Sequence, residues 1–451
     1  MRKLLRLLPL LLLASCGPEK PSADEWRKEL HKTLADAHAS PGLRGAAIGL
    51  CVLDEKGELL FDEQAHTAFI PASALKTVTT ATALELLGPD FHFVTELRAT
   101  TPIQNGLLEG DLVLAGGGDP MLDLAALEQI ATQLHASGLR RITGSIRVDA
   151  NRFTGSLYPD FWNWGDIGNG YGSGVSALNL NHNRYTARFR PGKTIGQPVT
   201  FLGTEPEVPG VTFRNEVTTG AANSGDGVTI HGGENTPVIH LRGTVPLEEK
   251  AFTVTGAVPN PSTFAVHHFQ RLLAAQGIQI DGQSTPSAAP ANIVLLQHPS
   301  PPLIDIITSI HATSDNHETE CVLRILGHQK QRDPIAVIRD HWKSRGLGFT
   351  RLRMEDGSGL SRADFITPHD LAKLQHLAKT GPHGTAYRAS LLSEGPLHWK
   401  GGAMSAIRTI TGFSTTTSGR EISFTLMINH FSDSAAAHDL RDKVIEMIQR
   451  L

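Results

Sequence analysis

Three short clusters of polar residues carry the chemistry this sequence could perform. The first is Ser73 and Lys76, three positions apart in Pro71-Ala72-Ser73-Ala74-Leu75-Lys76. On a helix that spacing places an amine one turn from a hydroxyl, on the same face. A serine hydroxyl is a weak nucleophile until a base takes its proton, and a lysine serves as that base once its pKa is pushed down. The positive end of the helix dipole lies close by. The second cluster is Ser314-Asp315-Asn316 and the third is Lys400-Gly401-Gly402. They add a second hydroxyl, an amide and a second amine. Together these are the parts of a nucleophilic site: nucleophile, base, proton relay, orienting amide, and a cation for an anionic substrate group. Each cluster alone recurs by chance. Their order, with each at an element boundary, gives them weight.

The elements that must position these residues are legible in outline. Pro71 to Gly88 reads as one helix, with Pro71 suited to the start and Gly88-Pro89 to the stop. Ala46 to Leu53, a turn at Asp54-Glu55-Lys56-Gly57, and Glu58 to Phe61 read as a β-hairpin. Leu303 to Thr313, Asn316 to Lys330 and Pro334 to Ser344 read as helices, and Ala406 to Phe413 with Glu421 to Ile428 as a late strand pair. A helix from Ser434 to Arg450 closes the chain. Between about 96 and 295 the chain turns to short strands, with helices at Leu122 to Ala136 and Phe264 to Gln276. An early hairpin and late strands around this stretch predict one domain split by a long insertion. The expected division is 25–95 and 296–451 for the split domain, 96–150 for an inserted α/β unit and 151–295 for an inserted β-rich unit. Gly116-Gly117-Gly118-Asp119-Pro120 follows a strand but lacks phosphate-loop spacing, so a tight turn is expected.

Composition narrows the class. With 451 residues, 40% apolar and 19% charged, the chain suits a globular protein of two or three domains. The formal charge is −4 and no basic or aromatic-basic run appears, so a nucleic-acid partner is not expected. Arg2, Lys3 and Arg6 precede a short apolar run, Leu7 to Leu13, too short to span a bilayer. Residues 1–15 therefore read as a signal peptide. Its end, Leu13-Ala14-Ser15-Cys16-Gly17, resembles the lipobox of bacterial lipoproteins. That implies cleavage before Cys16, lipid on its sulfur, anchorage to a bacterial membrane and a periplasmic location. Losing the three basic residues takes the charge from −4 to −7. Residues 16–24 read as a tether, and Ser284 to Pro290 as a low-complexity loop. Cys51 and Cys321 sit in apolar contexts and read as buried thiols, with a disulfide left open. The 21 histidines show no metal-ligand spacing and read as surface or loop residues, so no metal or cofactor is expected.

Ser-x-x-Lys, Ser-Asp-Asn and Lys-Thr-Gly form the signature shared by class A β-lactamases and penicillin-binding proteins, and Lys400-Gly401-Gly402 meets the third at its first and last positions. The chain resembles the peptidase S13 family of D-alanyl-D-alanine carboxypeptidases/endopeptidases, the low-molecular-mass class C penicillin-binding proteins. The stretches that carry the likeness are Pro71 to Lys76, Gly116 to Pro120, Tyr171 to Asn179, Ser314 to Asn316 and Asp356-Gly357-Ser358-Gly359-Leu360-Ser361-Arg362. The long gap from Ser73 to Ser314 separates the family from class A β-lactamases. The resemblance implies an α+β fold: a β-lactamase/transpeptidase-like domain, an antiparallel sheet flanked by helices, with nested inserted domains after the Ser73 helix. It implies peptidoglycan stem peptides as substrates and β-lactams as inhibitors. In that scheme Ser73 attacks the D-Ala carbonyl, Lys76 accepts its proton, Ser314 relays a proton, Asn316 orients Lys76 and the substrate amide, and Lys400 supplies positive potential. The N–H groups of Ser73 and Ala403 form the oxyanion hole, Gly401 and Gly402 line the substrate, and Asp166 and Arg362 contact the stem peptide.

One departure stands out. The family pattern has Thr or Ser where this chain has Gly401. A hydroxyl bonded to the substrate carboxylate is worth roughly 1.5–3 kcal/mol, so its absence costs about 10- to 100-fold. Two rival readings follow: a weakened peptidoglycan-binding or regulatory protein of the same fold, and a serine β-lactamase. The second needs a deacylating base, and no placed Glu is evident in the sequence.

Overall fold

The computed structural model describes residues 23–285 and 290–451. The signal segment, Cys16 with most of the expected tether, and residues 286–289 lie outside the described residues. A six-stranded antiparallel sheet joins the two ends of the chain. Its order is Leu392–Glu394, Leu397–Met404, Ile407–Thr415, Glu421–Asn429, Ala47–Leu53, Leu59–Glu63. Ala47–Leu53 and Glu421–Asn429 are almost continuously apolar or β-branched, which suits central strands buried on both faces. They pair from Ala47 opposite Asn429 to Leu53 opposite Ser423. In the hairpin turn, Asp54 Oδ1 accepts from the Lys56 and Glu58 N–H groups at 2.9 and 2.8 Å.

Helices Ala23–Ala39 and Ser434–Gln449 cover one face of this sheet. Trp26, Leu30 and Leu34 pack there with Leu440, Val444, Ile448 and the sheet's Ile48, Leu50 and Leu426. Phe69 and helix Pro368–Lys379, through Leu371 and Leu374, pack with Phe413 and Met427 in a second core. Each such fully buried side chain contributes roughly 1.5–3 kcal/mol.

Helix Lys76–Leu87 is buried along its first nine residues and belongs to the same second core. Its threonines survive burial because their hydroxyls bond backbone carbonyls. Thr77 donates to Ala74, Thr80 to Lys76 and Thr82 to Val78, while Thr79 donates across to Gly357. The expected single helix from Pro71 differs at its start: Ala72–Leu75 form a 3-10 turn, with Ala72 at φ +48°, before the α-helix begins at Lys76. Two glycines allow that turn to sit where it does. A Cβ on Gly402 would lie 2.5 Å from the Pro71 carbonyl, and one on Gly359, at φ +76°, would lie 2.0 Å from the Ala72 carbonyl.

Among the described residues the middle of the chain builds four smaller sheets. One runs Ile293–Pro299, Val94–Ala99, Leu112–Ala115, Ile146–Asp149. Val94–Ala99 crosses the expected 95/96 division, so the chain leaves toward the middle region and returns from it side by side. Two three-stranded sheets follow, Thr200–Glu205 with Arg184–Arg190 and Phe252–Ala257, and Thr212–Gly220 with Val238–Pro246 and Gly227–His231. Helices Leu124–Ala136 and Pro261–Ala275 share their core. At Gly116–Gly118 the N–H groups of Gly116 and Gly118 are committed to the Asp149 and Ala177 carbonyls. Among the described residues no helix is long and apolar enough to cross a membrane.

Replacing Gly359 by Ala forces a side chain into the left-handed region and against the Ala72 carbonyl. Urea unfolding is expected to show a loss on the order of 1–3 kcal/mol.

Candidate active site

Ser73 lies in the 3-10 turn and Lys76 at the first position of the helix that follows. Lys76 is fully buried, yet all three of its N–H donors are used. Nζ donates to Asn316 Oδ1 at 2.6 Å, to the Ser358 carbonyl at 2.7 Å, and to Ser73 Oγ at 3.1 Å. Asn316 begins helix Asn316–Lys330, which Asp315 caps by accepting from the Glu318 N–H. Its own amide is fixed in turn, because Nδ2 donates to the Tyr171 carbonyl at 2.9 Å.

Ser314 occupies the left-handed corner, φ 61°, between helices Leu303–Thr313 and Asn316–Lys330. That corner turns its hydroxyl to Lys400, whose Nζ donates to Ser314 Oγ at 2.9 Å and to the Gly401 carbonyl at 3.0 Å. Lys400 lies inside strand Leu397–Met404 rather than at an element boundary. Residues beyond Trp399 in this strand pair on one side only, with Ile407–Thr415, since Leu392–Glu394 stops opposite Trp399. Gly402 lies against the Ser73 turn, and Ala403 is exposed next to it.

The expected five residues thus form two hydrogen-bonded groups, Ser73, Lys76 and Asn316 in one and Ser314 with Lys400 in the other, close enough for the charge of Lys76 to act on Lys400. Asp166 joins it indirectly. Its carboxylate accepts from Asn163 Nδ2 and from the Tyr171 hydroxyl, on the residue whose carbonyl holds Asn316. Arg362 is exposed and, among the described residues, reaches only the Ser405 carbonyl, at 3.5 Å. At Gly401 a Cβ would meet the Trp399 ring at 3.0 Å, so the indole fills part of the space a Thr side chain would use.

Burial pushes the Lys76 pKa down to about 8, against the pull of Asp356, Asp315, Glu320 and Asp364. Burial, then the charge of Lys76, pushes Lys400 down to about 7. Two amines close together in low dielectric cannot both stay charged cheaply, and this keeps a neutral amine accessible near neutral pH.

Several groups escaped the sequence reading. The histidines were expected at the surface or in loops, but His311 and His317 are fully buried. A neutral imidazole tolerates burial when both nitrogens find partners: His311 sits between Thr80 Oγ1 and Ser390 Oγ, at 2.9 and 3.0 Å. His182 Nε2 lies 2.9 Å from Glu318 Oε1, and with Asp315 the two bring ligand atoms within 4.8 Å of one another. Asp315 is already committed there, to Arg184 Nη1 at 2.6 Å and to the Glu318 N–H. Cys51 and Cys321 are free and buried, as read.

A buried lysine beside a turn-borne serine, on a helix-flanked antiparallel sheet, defines a serine hydrolase of the β-lactamase/transpeptidase-like class. The chain belongs to the D-Ala-D-Ala carboxypeptidase 3 (S13) family, whose sequence model matches residues 30–451. It is 27% identical to a D-alanyl-D-alanine carboxypeptidase of Actinomadura sp., over 95% of this chain and 86% of that one. It is 25% identical to the D-alanyl-D-alanine carboxypeptidase DacB of Haemophilus influenzae, over 84% of each. The fold is similar to the crystal structure of penicillin binding protein 4 from H. influenzae, with TM-score 0.84 and 22% identity over 93% of this chain and 99% of that one. It is also similar to a predatory peptidoglycan endopeptidase from Bdellovibrio bacteriovorus, with TM-score 0.52 and 15% identity over 90% and 93%.

Asp315 illustrates the electrostatic stake. Burial raises its pKa, but the Arg184 guanidinium more than compensates and holds it well below the usual carboxylate range. A depressed carboxylate contributes stability above its unfolded value, near pH 4, and loses it on acidification. Arg184→Ala leaves the charge buried and unpaired; the denaturant midpoint at pH 7 should fall by the equivalent of about 3–5 kcal/mol.

Proposed function

We propose that this chain is an exported serine DD-peptidase, lipid-anchored through Cys16, that cleaves D-Ala-D-Ala termini and D-Ala cross-links of peptidoglycan and is acylated by β-lactams. One observation carries the mechanism: Lys76 Nζ stands 3.1 Å from Ser73 Oγ with its other two N–H groups on Asn316 and Ser358. As a neutral amine it keeps those two bonds, and its lone pair faces the serine. Family membership supports the substrate class.

Ser73 Oγ attacks the penultimate D-Ala carbonyl and passes its proton to Lys76. The carbonyl oxygen becomes an oxyanion, received by the N–H groups of Ser73 and Ala403. Ser314, accepting from Lys400, has its own proton free to hand to the leaving nitrogen, and recovers one from the lysines. The peptide C–N bond breaks, the terminal amine departs, and the acyl chain stays on Ser73 as an ester. Water attacks that ester and the proton steps reverse. Lys400 supplies positive potential for the substrate carboxylate beside Gly401 and Gly402. Asp166 and Arg362 contact the stem peptide.

Release of D-Ala from a pentapeptide and scission of cross-linked muropeptides test the reading. Wild-type protein should do one or both and Ser73→Ala neither. Activity that survives in Ser73→Ala would sink it. Gly401→Thr should raise D-Ala release by about 10- to 100-fold, with the Trp399 ring giving way by a few tenths of an ångström.

The pH profile carries a sign. Lys76 works as the free base, so the acylation rate should rise roughly tenfold per pH unit up to about pH 8 and then level. Lys400 loses its charge as pH rises through about 7, so KM for a carboxylate-ended peptide should climb over that range. A flat acylation rate from pH 6 to 9 would contradict the assignment of the base.

A further inference from the structure

Lys76 needs its lone pair, rather than an N–H, aimed at Ser73. That requires two other acceptors fixed firmly enough to hold the amine in one rotation. Asn316 Oδ1 is the first, and it belongs to a motif residue. The second is a backbone carbonyl, Ser358 O, in the loop Asp356–Ser361. A loop carbonyl is an imprecise tool unless its peptide plane is held.

Two buried carboxylates hold it. Glu320 lies four residues after Asn316 on the same helix, hence on the same face, and is 2% exposed. Oε1 accepts from the Gly357 N–H at 2.9 Å and the Ser358 N–H at 2.8 Å, and Oε2 shares the Gly357 N–H at 3.1 Å. The carbonyl of that stretch is tied from the opposite side by Thr79 Oγ1, at 2.8 Å on Gly357 O. Asp356 takes the next amide. Its Oδ1 accepts from the Gly359 N–H at 2.6 Å, and that N–H shares a peptide plane with the Ser358 carbonyl. Its Oδ2 accepts from the Ser361 N–H and from Trp162 Nε1, both at 2.8 Å. The Ser358–Gly359 peptide is therefore stretched between a carboxylate on its N–H and the lysine on its C=O.

Resting on the acyl-enzyme reading above, we propose that Glu320 and Asp356 are positioning residues for acylation: they clamp the Gly357–Gly359 backbone so that the Ser358 carbonyl fixes the rotation of Lys76. Neither touches Ser73. Each acts through a peptide group. Trp162 gives the middle region of the chain a hand in this, since its indole braces Asp356 across 194 residues of sequence.

The two carboxylates differ in a way that makes the idea testable. Glu320 Oε1 reaches both amides by itself and Oε2 only shares the Gly357 N–H, so glutamine with its carbonyl oxygen in the Oε1 place keeps the two shorter bonds without the charge. Asp356 uses both oxygens as acceptors, so asparagine turns an NH2 against one set of donors. Stopped-flow acylation by a fluorescent penicillin separates the acylation rate constant from the preceding noncovalent dissociation constant, with thermal unfolding run on every variant. Displacement of a reacting group by about 1 Å costs roughly 100-fold. Glu320→Ala and Asp356→Asn should each lose about that much in the rate constant, with the dissociation constant unchanged within about threefold. Glu320→Gln should stay within about tenfold of wild type.

If the alanine variant does not fold, the pair Glu320→Gln and Glu320→Asp decides. Aspartate keeps the charge but is one methylene short, so glutamine should outperform it; the reverse order overturns the clamp. Folded Glu320→Ala and Asp356→Asn that acylate at the wild-type rate, or whose loss lies in the dissociation constant, also overturn it. Wild-type protein that fails to acylate sinks the enzyme reading along with this one, whereas wild-type labelling with unaffected variants sinks the clamp alone.

Discussion

The structure depends on one costly choice, an amine taken fully out of water. Burying a lysine carries an effective penalty of several kcal/mol unless its donors are met. Lys76 meets it with three oxygens, one each from Ser73, Asn316 and Ser358. The same burial lowers its pKa to about 8, so the cost and the lowered pKa have one cause. Nearby carboxylates limit the fall. Among them, Asp364 is itself pushed up to about 11 by burial and by Asp356.

Much of the chain is arranged to supply those oxygens from distant places. Lys76 and Asn316 are 240 residues apart, and Lys76 and Ser358 are 282 apart. Strands from both ends of the chain meet in one sheet, which brings the Lys400 strand against the Ser73 turn. The middle region is tied in as well. The Tyr171 carbonyl orients the Asn316 amide, Arg184 neutralises Asp315, and the Trp162 indole braces Asp356. The motif side chains therefore cannot be separated from a segment that carries none of the five motif residues.

What was legible in the sequence was what side chains and periodicity encode. Helices Leu303–Thr313, Asn316–Lys330 and Pro334–Ser344 fall where capping and apolar spacing put them. The hairpin near residue 50 and the late strand pair are likewise present. Backbone chemistry was not legible. Nothing in Asp356-Gly357-Ser358-Gly359 announces that the Ser358 carbonyl will hold a lysine. Nor does Pro71-Ala72-Ser73 reveal a 3-10 turn entered through a left-handed alanine. Helix Pro368–Lys379, capped by Thr367 and opened by Pro368, carries start signals in its sequence as well. The buried His311 is invisible to spacing rules because hydroxyls from remote helices, those of Thr80 and Ser390, satisfy it. At Gly401 the sequence exposed a missing hydroxyl, and only the fold shows the Trp399 ring in part of its space.

The central claim is that the Lys76 arrangement makes Ser73, and no other residue, the acyl acceptor. Intact-protein mass spectrometry after incubation with benzylpenicillin, followed by peptide mapping, tests this most directly. The account predicts one adduct of the mass of the whole β-lactam, on the peptide that carries Ser73, and absent when Lys76 is replaced by Ala. An unmodified protein, an adduct on any other peptide, or undiminished labelling of Lys76→Ala would contradict it.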